Sequence, residues 1–354
     1  MRPRKHFRAK QRLLRIAQIA PLHENVSPHS YRGTQRIIAH LCQELARRGH
    51  EVTLFASYDS SARARLAPVD SNSLRASGAP RDGPERQLPV LCDVYENAGR
   101  FDIIHSHVGF RDFPLRRSSS APTLSTMHNR LERTDLTRAC QRYCDLPLVS
   151  ISDRQREPLP NMNWIATVYH GLPADSYTFN PTVGNYLAFW GPFAPQQGPE
   201  LAIEIARLAG VRLKVAAKIE QADREYYNTV LKLLLSGPRI EYVGEMTGSA
   251  RQEFLGQALA LVVPIDWPEP LGLVIVEALA CGTPVIARAC GAVSEILCHG
   301  VSGFISERVG GLADAVRNVS KLSRRACRRE FDKRFTAERM ATDYENIYHR
   351  LIDH

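Results

Sequence analysis

Short apolar runs alternate with amphipathic segments along most of the chain. The first apolar run, at 13–21, is followed by a polar loop and then by a segment beginning at Thr34 that predicts a helix. One face of this helix is apolar and carries Ile37, Ile38, Leu41 and Leu45. A second apolar run follows at 51–56. Strand, loop, helix and strand within about 45 residues indicate a βαβ unit of a parallel sheet.

The same alternation continues in two series. Further strands are predicted in the first series at 101–107, 122–128, 146–152 and 164–170, and in the second at 185–191, 211–218, 240–244, 259–265 and 284–288. Helices are predicted between the strands of the second series at 200–208, 222–235, 249–258 and 271–281, and again from 311 to the end. The strands are apolar on both faces, which is typical of parallel strands covered by helices. By contrast, the segment 58–89 has little periodicity, and we expect a mobile surface excursion there.

These two series predict an α/β fold of two Rossmann-like domains that face each other across a cleft. A length of 354 residues suits two domains. The predicted parts are a basic, disordered leader at 1–12, an N-terminal domain at 13–172 on the acceptor side, a C-terminal domain at 184–320, and C-terminal helices at 321–354, the last of them packing back on the N-terminal domain. Because ligands bind at the carboxyl ends of parallel strands, the cleft is the expected site.

Composition and charge limit the classes of molecule that the protein is expected to bind. The net charge of +9, to which the first twelve residues contribute six Lys and Arg, favours phosphates, anionic lipid or nucleic acid. No aromatic and basic stripe accompanies it, so we expect no specific nucleic-acid binding. The chain has no apolar stretch long enough to span a membrane and no secretory signal. We therefore expect a cytoplasmic protein whose leader could contact the inner face of a membrane.

Cysteine spacing does not indicate a metal. The eight cysteines include no C-x-x-C pair, although Cys140 and Cys144 lie one helical turn apart. No matching His or Cys pair stands near them in the sequence, and reduced thiols are the expected state. We accordingly expect neither a metal site nor a cofactor.

Two glutamates in the segment 266–287 carry the candidate chemistry. Glu269 precedes an apolar helix, and Glu277 lies two turns into it. A carboxylate is costly to bury among apolar residues unless it is hydrogen-bonded, and a ribose diol can donate two hydroxyls to it. The backbone N–H groups at Leu271 and Gly272 form an anion site suited to a diphosphate. The alternative is that Glu269 complements the helix dipole and Glu277 pairs with a core arginine.

The surrounding residues favour the first interpretation. The spacing Glu-x7-Glu is accompanied by Glu269-Pro-Leu-Gly, Ala278, Ala280, Gly282, the run 284–287, Gly291, Glu295-Ile296 and the run 300–304, and by 49–52, 150–152 and His170-Gly171 earlier in the chain. In these features the chain resembles glycosyltransferase family four. The resemblance implies a GT-B fold and transfer from a nucleotide-activated sugar, usually with retention and without a metal. It also implies that Glu269 contacts the transferred sugar and Glu277 the ribose.

The N-terminal half offers further candidates. Where similar proteins have a glycine-rich loop, this chain has Arg32 and Gly33, and Gly33 is either a ligand contact or a turn glycine. His128 ends a predicted strand, and the resemblance implies that a histidine there binds a hydroxyl of the donor sugar. His170 and Arg130 are candidates for the acceptor side.

The chain departs from the family pattern at the phosphate clamp. Pro192 and Gln197 follow Gly191 where an arginine and a lysine are expected. Because such cations stabilise the departing diphosphate, losing one commonly costs about 10² to 10³ in rate. We hypothesise that Arg32 supplies part of the missing charge.

Lys218 and Glu245 complete the predicted donor side, and Glu245 is assigned to the base. The sequence thus predicts a transferase that uses a nucleotide sugar as donor and an unidentified glycan, lipid-linked or small-molecule acceptor. The alternative is a catalytically weak or inactive relative that binds a sugar nucleotide or a glycan, or that partners an active transferase.

Overall fold

The chain folds around two separate parallel sheets. The computed structural model describes residues 12–30, 32–69, 73, 84–132 and 137–353. The predicted disordered leader, apart from Arg12, lies outside the described residues. Within them, seven strands form the first sheet in the order β3-β2-β1-β4-β5-β6-β7, and six form the second in the order β10-β9-β8-β11-β12-β13. All strand pairs are parallel, as the apolar strand pattern predicts.

The first sheet and its helices occupy the N-terminal half. Its strands are β1 (Arg15–Ile19), β2 (Glu51–Ser57), β3 (Arg65–Val69), β4 (Ile103–Ser106), β5 (Thr123–Thr126), β6 (Leu148–Ser150) and β7 (Trp164–Thr167). Its helices are α1 (Gly33–Arg47), α2 (Pro84–Glu96), α3 (Phe113–Arg116), α4 (Thr137–Arg142) and α5 (Asp153–Arg156).

The second sheet is built in the same way. Its strands are β8 (Tyr186–Pro192), β9 (Arg212–Lys218), β10 (Ile240–Gly244), β11 (Ala260–Val263), β12 (Val285–Arg288) and β13 (Gly303–Ser306). Its helices are α6 (Pro199–Ala209), α7 (Arg224–Tyr226), which a π turn at Tyr227–Leu231 joins to α8 (Lys232–Leu235), then α9 (Gly248–Gly256), α10 (Leu273–Ala280), α11 (Val293–Ile296) and α12 (Val309–Asn318). Two helices, α13 (Arg324–Arg334) and α14 (Ala337–Ile352), end the chain.

Two strands lie where the sequence pattern predicts none. The prediction of an irregular excursion at 58–89 was wrong for β3, which pairs with β2 at the edge of the first sheet, and for the first residues of α2. The strand is short and contains Pro68, which is tolerated because an edge strand needs partners on one side only. In the same way β13 closes the edge of the second sheet beside β12.

The last helix lies against the N-terminal half and is anchored by a close backbone approach. It packs along α1, and Leu172 is bridged to Thr336 just before α14 begins. A Cβ at Gly171 would lie 2.2 Å from the carbonyl oxygen of Thr336, so only glycine fits there. One continuous apolar core includes Leu41 of α1, Leu279 of α10 and Tyr348 of α14. No helix among the described residues is long and apolar enough to cross a membrane.

Candidate functional site

Glu269 lies at a cavity between the two halves. The loop 264–272 carries it from the end of β11 to the start of α10, and the cavity, of about 490 Å³, has Glu269 in its wall. Residues of the N-terminal half that line the same cavity include Arg130, Gln155 and Pro158. The carboxylate is therefore placed where a ligand held between the halves can reach it.

The surroundings of Glu269 favour its protonated form. Burial raises the pKa of Glu269 to about 7, although the N–H groups of Gly272 and Leu271 and the charge of Arg130 act in the opposite direction. Arg130 lies over the ring of Trp267 at 5.1 Å from its centroid and donates to Glu132 at 3.2 Å. Because Arg130 and Trp267 come from different halves, this cation–π contact spans the cleft beside Glu269.

Glu277 is fully buried and is held by cations from both halves. Its Oε1 lies 2.8 Å from Arg36 of α1 and 3.2 Å from Arg251 of α9, and the hydroxyl of Tyr177 donates to it at 3.0 Å. Pairing with arginine, the alternative considered for Glu277, is thus present at one oxygen. The arginine at 2.8 Å belongs to the opposite half, so the carboxylate faces the N-terminal half.

Several polar atoms of this group have no hydrogen-bond partner among the described residues. They are Oε2 of Glu277, Nε of Arg36 and Nε of Arg251. The side chains of Arg36 and Arg251 are only 2% and 8% exposed. Buried groups of this kind are normally hydrogen-bonded. The combination of unused N–H donors and one unused carboxylate oxygen suits a ligand that carries both anionic oxygens and hydroxyls.

Sequence reasoning missed Arg36, Arg251 and Tyr177. The spacing of α1 contains a signal for the first of them, because Gly33, Arg36 and His40 recur at i, i+3 and i+7 and therefore share one face of the helix. That face meets the C-terminal half. No comparable pattern marks Arg251 or Tyr177, which reach Glu277 through the fold alone.

Gly272 lies at the start of α10, where the sequence predicts that its N–H group and that of Leu271 bind a diphosphate, and that role stays a prediction. Gly272 has φ +80°, a left-handed conformation that glycine adopts without strain, and it precedes the first helical residue. Leu271 is buried. Gly33 lies opposite this helix, since a Cβ on Gly33 would come within 3.1 Å of Cδ2 of Leu273. A small residue is thus required where the two halves approach each other.

Arg32, Lys218 and Glu245 come together in one charged cluster. Glu220 lies 3.9 Å from Arg32 and 3.6 Å from Lys218, and Lys218 is 3.9 Å from Glu245. Arg32 also donates to Glu24 at 2.6 Å. Its charge is therefore already compensated by carboxylates, and Arg32 would have to leave Glu24 to reach a diphosphate.

The altered phosphate clamp lies at the end of β8. Pro192 is the last residue of that strand, and Gln197 lies in the turn before α6. The amide oxygen of Gln197 would be 3.6 Å from a Cβ on Gly191, so the Gln197 side chain lies over this glycine. Neither residue carries a charge. The guanidinium of Arg251 lies over the ring of Trp190 in β8, at 5.4 Å from its centroid.

His128 belongs to a row of three histidines at the carboxyl ends of the N-terminal strands. Its Nε2 lies 2.9 Å from Nδ1 of His107, and its Nδ1 lies 3.3 Å from Nε2 of His170. Burial lowers the pKa of His128 to about 3 and also lowers the pKa of His107 and of His170. All three rings are neutral near pH 7. Both nitrogens of His128 are already engaged by protein groups.

Glu295 ties the two halves together beside the histidines. Its two carboxylate oxygens accept from the backbone N–H groups of Asp153 at 2.8 Å and Arg154 at 2.7 Å, and from the hydroxyl of Tyr169 at 3.1 Å. Ser152, next to them, donates to the carbonyl oxygen of Pro270 at 2.5 Å. The loop that carries Glu269 is thereby fixed to the N-terminal half.

Two family models together match most of the chain. Residues 178–336 match the model described as glycosyl transferases group 1, and residues 31–164 match the model described as glycosyltransferase family 4. The chain belongs to glycosyltransferase family four. The boundary between the two matches falls in the segment that joins the two sheets.

One known protein is similar to this chain in sequence, and two solved structures are similar to it in fold. A D-inositol 3-phosphate glycosyltransferase of Mycolicibacterium smegmatis is 26% identical over 328 residues, which covers 78% of this transferase and 76% of that protein. Sucrose-phosphate synthase of Thermosynechococcus elongatus has a TM-score of 0.76 at 18% identity, covering 96% of this chain and 99% of that one. The HepE protein of Anabaena, solved in complex with UDP-glucose, has a TM-score of 0.71 at 16% identity, covering 95% and 100%.

The transferase therefore has the GT-B architecture that its sequence predicts. Each parallel sheet with its helices corresponds to one of the two domains expected from the alternation of strands and helices, and the cleft lies between them. Within this architecture the structure brings Glu269, Arg130 and Gln155 to one cavity. It places Glu277 deeper, among arginines from both halves.

Proposed function

We propose that this transferase moves a hexosyl group from a nucleotide diphosphate sugar to a hydroxyl of an acceptor, with retention of configuration and without a metal. The observation that carries the proposal is the partly satisfied group around Glu277. A buried carboxylate oxygen without a partner can accept from a ribose hydroxyl, and the unused N–H groups of Arg36 and Arg251 can donate to phosphate oxygens.

Arg36 and Arg251 also offer a reason why Pro192 and Gln197 are tolerated. Two guanidinium groups paired with one carboxylate leave one net positive charge beside Glu277. In a closed site of low dielectric constant, such a charge stabilises the negative charge that develops on the departing diphosphate. We therefore assign to these two arginines the role that family members give to the missing clamp cations. Arg32 is a weaker candidate because Glu24 already holds it.

The reaction follows from this arrangement. The bond between the anomeric carbon and the diphosphate oxygen breaks, and the acceptor oxygen forms the new bond on the same face of the sugar. The proton of the acceptor hydroxyl passes to the departing diphosphate, so no protein base is required. Glu269 contacts the transferred sugar at the cavity wall, and His170 borders the acceptor side. The relative from Mycolicibacterium smegmatis is named a glycosyltransferase, which does not favour the alternative of an inactive binding protein.

Donor binding can be tested by thermal shift with a panel of UDP-, GDP- and ADP-hexoses on the native chain and on Glu277→Gln. The amide keeps the shape of the carboxylate but can no longer accept through two charged oxygens. We expect one donor to raise the melting temperature of the native chain and to lose most of this effect in the variant, because a ligand at 100 times its Kd contributes about 2.7 kcal/mol.

Glu345→Gln is the matched control. Glu345 is also buried, ion-paired to Arg48 at 2.5 Å and hydrogen-bonded to His50 at 2.7 Å, but it lies on α14 away from the cleft. Removing its charge should lower stability in the same way and leave the donor effect intact. Equal donor effects in native chain and Glu277→Gln would refute the assigned site, and no effect of any donor on the native chain would refute the nucleotide sugar.

A further inference from the structure

The row of three histidines continues into a buried hydrogen-bond network. One amide determines which atom donates and which accepts in each of its hydrogen bonds. Gln18 of β1 donates through Nε2 to the hydroxyl of Tyr348 at 3.1 Å, so its Oε1 faces Nε2 of His107 at 2.7 Å. An amide oxygen only accepts hydrogen bonds, and His107 must therefore carry its proton on Nε2. Gln18 is fully buried, so no water competes for this position.

The positions of the protons on His128 and His170 follow from the position of the proton on His107. Because a neutral imidazole has a single N–H, Nδ1 of His107 is an acceptor, and His128 donates to it from Nε2. Nδ1 of His128 is then the acceptor for Nε2–H of His170. The row ends at Nδ1 of His170, a buried atom with no hydrogen-bond partner among the described residues. This last atom is a bare acceptor.

We propose that Gln18 is a positioning residue for the acceptor side of the site: acting through His107, it fixes the tautomer of His128 and leaves Nδ1 of His170 free to accept a hydrogen bond from a substrate hydroxyl. The row therefore selects a hydroxyl-bearing group and not a phosphate oxygen, which also only accepts. This inference rests on the proposed function for its substrate, but the tautomers themselves can be measured without one.

A second branch of the network, from Tyr348 through His105, favours the same assignment of donors and acceptors. The hydroxyl of Tyr348 lies 2.7 Å from Nδ1 of His105, and Nε2 of His105 lies 2.7 Å from Oγ1 of Thr126, which is 2.8 Å from the hydroxyl of Tyr344. Since Tyr348 accepts from Gln18, its own proton is free to go to His105. Reversal of the amide would require every proton in both branches to move together.

The test is ¹⁵N NMR of histidine-labelled protein together with steady-state kinetics. Ring signals assigned with His128→Gln and His170→Gln distinguish a protonated nitrogen from a bare one. In the native chain we expect protonated Nε2 and bare Nδ1 on His107, His128 and His170. Gln18→Leu should change the signals of His128, two hydrogen bonds away, and lower kcat about tenfold at unchanged donor KM.

Two further variants make the result specific. Gln18→Glu keeps an acceptor facing His107 and should restore the His128 signals. Gln87→Leu removes another buried glutamine of the same half, one that accepts from the backbone of Leu22 and does not touch the histidines, and it should leave both signals and kcat unchanged. A proton on Nδ1 of His128 in the native chain overturns the proposal, as does a Gln18→Leu variant that behaves like Gln87→Leu. A native chain without transferase activity would refute the proposed function alone, since the ring signals need no substrate.

Discussion

At the scale of single residues, the ionised form of Glu269 is destabilised in a way that most surface carboxylates are not. Its position in the cavity wall removes much of its hydration, and the N–H groups at the start of α10 compensate only in part. A donor sugar that hydrogen-bonds to the carboxylate would replace part of the lost hydration. Glu269 should therefore lower the free energy of unfolding of the empty protein and raise that of the donor-bound protein.

Destabilisation of the ionised form predicts that the stability of the protein depends on pH. The unfolded chain releases the Glu269 proton near pH 4.5, whereas the folded chain keeps it until about pH 7. Rising pH across this window therefore favours unfolding, by about 1–3 kcal/mol. Glu269→Gln should lack this loss when the free energy of urea unfolding is measured at pH 4.5 and pH 8.

Glu307→Gln serves as the comparison, because Glu307 lines the same cavity but is exposed. It should retain the loss seen in the native chain. A native chain and a Glu269→Gln variant with the same change between the two pH values would contradict the raised pKa.

At the scale of elements, α14 depends on the backbone of the segment that precedes it. Thr336 caps the helix by accepting from the N–H of Arg339 at 3.2 Å, and its carbonyl oxygen occupies the space where a side chain at 171 would lie. The helix then contributes Tyr344 and Tyr348 to the histidine network. A glycine in the linker thus determines where a helix more than 160 residues later in the chain can dock.

Gly171→Ala tests this docking. The added methyl group would overlap the Thr336 carbonyl oxygen, and we expect a loss of about 1–3 kcal/mol in the free energy of unfolding, measured with urea. Gly310→Ala, in α12, is the matched substitution, because no heavy atom lies within 4 Å of its added Cβ. It should be neutral or stabilise by up to about 1 kcal/mol. Equal effects of the two substitutions would show that α14 does not need the close approach.

At the scale of the whole molecule, polar contacts around the cleft join the two halves beside the apolar core that they share. Arg36 with Glu277, Arg130 with Trp267 and Glu295 with the start of α5 each pair one half with the other. The first is fully buried, and removing Glu277 would leave the buried charges of Arg36 and Arg251 without their carboxylate. Glu295 is more accessible and can be removed with less damage.

Hydrogen exchange measures the contribution of Glu295. In Glu295→Ala the amides of Asp153 and Arg154 lose the carboxylate that accepts from them, and we expect each to exchange about tenfold faster. Glu157→Ala removes a carboxylate that pairs with the side chain of Arg154 within the N-terminal half, and it should leave these amides unchanged. Unaltered exchange in Glu295→Ala would mean that this contact does not hold the halves together.

The periodicity of the chain predicts most of this architecture and only part of the site. Buried parallel strands produce apolar runs that can be read directly, whereas β3 is missed because an edge strand with a proline lacks that signal. Glu269 and Glu277 can be singled out from the sequence because their spacing on one segment is local, and their roles stay predictions. Arg251 and Tyr177 meet Glu277 from distant parts of the chain, and their convergence depends on tertiary structure. The assigned roles of Arg32 and Lys218 stay predictions, although both side chains already have carboxylate neighbours.

The stacking of Arg130 on Trp267 has a practical consequence. Trp267 is one of three tryptophans in the chain, and a guanidinium from the opposite half lies over its ring. Separation of the halves would remove that cation and expose the indole to water, which alters its emission. With Trp164 and Trp190 replaced by phenylalanine, the intrinsic fluorescence of the remaining indole would report opening and closing of the cleft in real time, without any attached dye.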